Sequence, residues 1–123
     1  MHIDSIMEEL NSLELTLLNG LLVKYPALKS HIAFLKVFKR EVSDVGMIVH
    51  LEYFPTEGQF LPEDLNALFS NQERIQIKGL KHGLGYVIDV TDGRIMFIEF
   101  MTYDEKWDGT FADYKIQAKK KDG

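Results

Sequence analysis

Among 123 residues that include no cysteine, the side chains with the widest chemical reach come close together: Glu99, then Tyr103, Asp104, Glu105, Trp107 and Asp108. Neighbouring carboxylates can hold a divalent cation through oxygen ligands, or serve as general acid and base. The spacing lacks the alternating oxygen ligands and closing glutamate of a calcium loop. The run therefore reads as a solvated acidic loop beside an aromatic anchor. Trp107 is read as a lid over one end of a sheet, with an exposed contact residue as the alternative. Glu99 lies among apolar and aromatic neighbours. A buried carboxylate must be paired or hydrogen-bonded, and its expected partners are Arg40, Lys78 and the Tyr86 hydroxyl.

The histidines, His2, His31, His50 and His82, do not pair at helical metal-ligand spacing, and no carboxylate completes a two-histidine motif. His82 sits between Lys81 and Gly83 in a loop, where function often resides; a turn residue is the plainer reading. Gly79, Gly83 and Gly85 resemble a dinucleotide loop only superficially. They lead into a strand, so no helix amino terminus is offered to a phosphate. The serines lie in no nucleophile-elbow context. Without cysteine, disulfides, thiolate metal sites and thiol nucleophiles are excluded. No metal or cofactor is expected.

These residues need elements to position them. The central one is a hairpin around Asp92-Gly93, a dipeptide that tolerates the positive φ values of a two-residue type I′ turn. A regular register then sets Thr91 opposite Arg94, Val90 opposite Ile95, Ile88 opposite Phe97 and Tyr86 opposite Glu99. Val87, Met96, Ile98 and Phe100 would share the other face with Asp89. A hairpin apolar on both faces belongs inside a sheet. Upstream, apolar residues from Ile3 to Leu22 recur at helical spacing. Ser5 and Glu8 have capping-box spacing, with Asp4 as a rival cap. Tyr25-Pro26 stops this helix, and Pro26 opens a short second one that buries Ala27, Leu28, Ile32 and Phe34. Strands are expected over 36–42, 45–54, 74–78 and 111–116, with a helical turn over 64–69. The hairpin's second strand is expected to run on to Tyr103. The sum is a single α+β domain, 1–123: one or two N-terminal helices on an antiparallel sheet of about five strands.

Length and composition agree with one globular domain: 46% of residues are hydrophobic and 27% charged. A formal charge of −5 argues against nucleic acid, which needs a basic face. The run Lys119-Lys120-Lys121 is read as a solvated tail. With no signal peptide and no membrane-length apolar stretch, a cytoplasmic monomer or small homo-oligomer is expected.

Three segments carry a resemblance. They are Arg40-Glu41-Val42-Ser43-Asp44-Val45-Gly46-Met47, Gly79-Leu80-Lys81-His82-Gly83-Leu84-Gly85-Tyr86, and Asp92-Gly93-Arg94 running on to Glu99 and Trp107. Their order resembles that of small bacterial α+β proteins of no assigned function, with Met47 in place of an aromatic and Phe100 in place of a small residue. That resemblance implies a small α+β fold and supplies no catalytic residues. The size and acidity also resemble those of immunity proteins encoded beside bacterial contact-dependent toxins. The resulting expectation is a non-catalytic protein-binding domain, an immunity protein that neutralises a basic toxin domain. Its contacts would be Tyr103, Asp104, Glu105, Trp107 and Asp108, because an acidic surface steers itself onto a basic cleft. The alternative is a small-ligand-binding or hydrolytic protein using His82, Glu99 and Asp104 in a pocket at the hairpin's end.

Overall fold

The computed structural model describes residues 7–54, 64–70, 74–111 and 113–117. Helix α1 spans Ser12–Lys24, and Leu13, Leu17, Leu18 and Leu21 on its inner side are all buried. Each buried leucine stabilises by roughly 1.5–3 kcal/mol. The helix starts later than its apolar stripe suggests. Asn11 is the N-cap, its side chain accepting the Glu14 amide while Glu14 accepts the Asn11 amide. Glu8, expected as a capping glutamate, is instead extended: its amide and carbonyl both bond Val37. Ile3, Asp4, Ser5 and Ile6 lie outside the described residues. Pro26 does open a second element, a 3-10 helix over Pro26–Phe34. This helix buries Leu28 and His31, not Ala27, while Ile32 and Phe34 are half-buried.

Among the described residues seven strands follow: β1 Leu35–Ser43, β2 Gly46–Tyr53, β3 Ala67–Phe69, β4 Arg74–Gln76, β5 Gly85–Thr91, β6 Arg94–Met101 and β7 Lys115–Gln117. Five form an antiparallel sheet in the order β1-β2-β6-β5-β3; β4 and β7 pair separately. Together with α1 and the 3-10 helix this is an α+β fold. No helix among the described residues is long and apolar enough to cross a membrane. The helical turn expected over 64–69 is overturned, because β3 occupies that stretch. Phe69 pairs opposite Ile88 and is buried, so the open edge of β5 outweighs local helix preference. β6 ends at Met101, short of the expected Tyr103.

The β5–β6 turn has positive φ at Asp92 (50°) and Gly93 (75°). Thr91 faces Arg94 and Val90 faces Ile95, but the register then shifts at a bulge. Met96 is the extra residue. Beyond it Asp89 faces Phe97, Ile88 faces Ile98, Val87 faces Glu99 and Tyr86 faces Phe100. Because side chains alternate with period two, one added residue exchanges the two faces of the remaining strand. Ile98 and Phe100 therefore join Tyr86, Ile88, Val90 and Ile95 in the core. Phe97 and Glu99, expected opposite Ile88 and Tyr86, are turned to the outer face.

Candidate functional site

The loop after β6 is built from local bonds. The Trp107 amide donates to the Asp44 carbonyl and its Nε1 to the Thr110 carbonyl, 2.9 Å away. Its ring meets Phe111 edge-on, and Phe111 meets Phe100 the same way. At 7% exposure Trp107 is a lid. Asp108 accepts the Thr110 amide and hydroxyl, and the amide bond in first place holds its pKa below the usual value. Glu105 reaches back across the fold to accept the amides of Lys81 (2.7 Å) and His82 (2.6 Å). Of the five expected contact residues, Tyr103 and Asp104 are exposed without these structural duties. Tyr103 lies beside Gly85, where a Cβ would overlap its hydroxyl, and Arg74 stacks over its ring at 4.6 Å.

Glu105 is thus a clasp. The Lys81 amide, then the His82 amide, hold its carboxyl below the ordinary 4.5. A carboxylate depressed by folding stabilises above its unfolded pKa, and that contribution is lost as pH falls through the folded value. Acidification below about pH 4 should release the 81–82 loop before the rest unfolds, read as lost hydrogen-exchange protection at the Lys81 and His82 amides. Glu105→Gln should abolish the acid step. Protection at those amides that persists until the whole domain unfolds in acid, in parent and Glu105→Gln alike, would contradict the clasp.

Of the residues expected in the alternative pocket, His82 and Glu99 line different clefts, and Asp104 lines neither of these two. His82 lines a cleft beside β4 and β7; Glu99 lines a separate depression between β2 and β6 with Glu41 and Ile48. Glu99 bonds none of Arg40, Lys78 or Tyr86 as expected. Arg40 instead donates to the fully buried Glu14 from Nε (3.1 Å) and Nη2 (2.9 Å), and to Glu8 from Nη1 (3.3 Å). Among the described residues no three His, Asp or Glu side chains could hold a metal ion. Asp104 and Asp113 have positive φ in turns.

Two surfaces were less visible in the sequence. The first is the outer face of the sheet. Here Leu68 is 70% exposed and Met96 43%, beside half-buried Val87, Phe97, Glu99 and Asp89. The second is the His82 cleft, whose cations come from β4, β7 and the loop after β4. Only the pair Lys78 and Lys81, three apart beside glycines, hinted at it. No family model, curated protein or solved structure gives a match to this chain.

Proposed function

We propose that this is a non-catalytic protein-binding domain that docks onto a basic partner, in the manner of an immunity protein covering a toxin's cationic substrate cleft. The observation that carries this reading is the outer sheet face. Antiparallel sheets with helices on one side usually present polar side chains on the other. Here that side offers Leu68, Met96, Val87 and Phe97 among the carboxylates of Asp89, Glu99 and Glu52. Apolar centres ringed by charge mark interaction surfaces; the Asp89 and Glu99 carboxylates over β5 and β6 favour a basic counterpart there, while Lys36 and Lys39 lie toward the β1 edge. Tyr103 continues the patch past Gly85, with Asp104 at its rim, so part of the loop expected from the sequence remains in the contact surface. Trp107 does not, since it is committed to the core.

The test is binding kinetics against the product of the gene immediately upstream, at low and physiological salt. Leu68→Lys with Met96→Lys should raise Kd roughly tenfold or more, mainly through faster dissociation. Asp104→Lys should slow association and flatten its salt dependence. All three positions are exposed, so folding should survive. Parent-like kinetics in both variants would remove this surface, and no binding by the parent would remove the toxin pairing.

A further inference from the structure

Beyond that reading, we propose that the cleft between β4, β7 and the 77–83 loop binds a small ligand carrying two or more phosphate charges. It has a volume of about 440 Å³ and is lined by Arg74, Lys78, Lys81, His82 and Lys115, with Asp113 as the one carboxylate among its described lining residues; Glu105 stands behind the wall, its carboxylate taken up by the Lys81 and His82 amides. That volume lies in the range of small-molecule sites. Four cations against one carboxylate leave three positive charges in the lining with histidine neutral, so the remainder of a chain at −5 carries −8. Among the described residues no carboxylate lies within ion-pairing distance of Lys78, Lys81 or Lys115.

The geometry favours phosphate over a lone carboxylate. Arg74 is stacked on Tyr103 at 4.6 Å, which fixes the plane of a guanidinium fork able to take two phosphate oxygens. Behind it the wall is tight. Gly83 sits at φ 69°, where a Cβ would press on the Ile75 carbonyl and the Arg74 stem. The Glu105 clasp holds the backbone that carries Lys81 and His82. A short anion senses only this neighbourhood, because charges more than about 8 Å away are screened at physiological salt. A long polyanion would also meet the acidic remainder, which sets nucleic acid aside.

The probe is inorganic pyrophosphate, titrated calorimetrically into the full chain at physiological salt, with inorganic phosphate and a single-stranded oligonucleotide as further arms. Pyrophosphate should bind with Kd on the order of 1 mM or tighter, and more tightly than phosphate. Lys78→Glu and Lys115→Glu should each weaken it roughly tenfold. Arg74→Lys, which keeps the charge but loses the fork, should weaken it several-fold, and Lys29→Glu on the 3-10 helix should change nothing. Thermal melts of each variant, all at exposed positions, should match the parent and so separate lost binding from lost folding. No heat up to about 10 mM pyrophosphate, or equal loss in Lys29→Glu, overturns the site. Tighter oligonucleotide binding, abolished by the same reversals, overturns the small-ligand assignment.

Discussion

Replacing Arg40 by methionine should lower stability by about 3 kcal/mol, the largest effect expected of any single polar substitution here. The Glu14 side chain is 0% exposed, at the first turn of α1 and beneath β1. Its carboxylate takes the Asn11 amide and two Arg40 nitrogens. Arg40 itself keeps 22% of its side chain in solvent. The pairing outweighs what burial takes from its charge, so its pKa ends raised although burial is the largest single influence and acts downward. Methionine keeps the apolar stem but strands a carboxylate in the core, and an uncompensated buried charge costs several kcal/mol. The melting temperature should fall by about 10 °C. Adding Glu14→Leu should recover most of the loss, because the stranded charge goes with it. If Arg40→Met melts within about 2 °C of the parent, or the double variant is no better than the single, the ion pair is not what fixes helix to strand.

That pair also shows which parts of the fold could be read from the chain. Element types were legible where periodicity is long: the leucine spacing of α1, the alternation of β2 and the Asp92-Gly93 turn. Arg40, expected with Lys78 and Tyr86 as a partner for Glu99, pairs with a different carboxylate, Glu14. The reason is one residue. With Met96 bulged, Glu99 leaves the side facing the helix, and the acid that needs a cation is Glu14 on the helix itself. A bulge adds no composition signal, since Ile95-Met96-Phe97-Ile98 is apolar in either register. Short strands failed for another reason. Ala67-Leu68-Phe69 has no pattern beyond three residues, and its state is decided by the edge of β5. The cationic cleft was hidden because Lys115 is distant in sequence from Arg74, Lys78 and Lys81 and joins them only through the β4–β7 pairing. In sequence Trp107 reads both as a lid and as a contact residue; its burial against Phe111 leaves only the lid.

Tyr53→Phe should cost about 2–3 kcal/mol, a large effect for the loss of one oxygen, and the same bulge is the cause. β2 and β6 stay in register only from Gly46–Met101 to His50–Phe97. Beyond Phe97 the strands no longer pair, and the amide of fully buried Ile95 needs an acceptor that β2's backbone does not supply. The Tyr53 hydroxyl accepts it at 2.9 Å and also bonds His31 Nδ1 at 2.7 Å, the imidazole standing edge-on to the phenol ring. Phenylalanine fills the same space but deprives both groups of this partner, and a buried donor left without an acceptor costs about 1–3 kcal/mol. Burial, the leading influence, raises the Tyr53 pKa above 10.0, against the opposing effects of the Ile95 amide and the Arg94 charge. A raised pKa means the folded state keeps the proton longer. The contribution is therefore complete below the unfolded value and is lost as pH rises through the folded one. Urea denaturation of parent and variant should show the full gap near neutrality and a narrowing gap above about pH 10. A variant within about 0.5 kcal/mol of the parent at neutral pH, or a gap that does not narrow in alkali, would mean that the bulge finds its acceptor elsewhere.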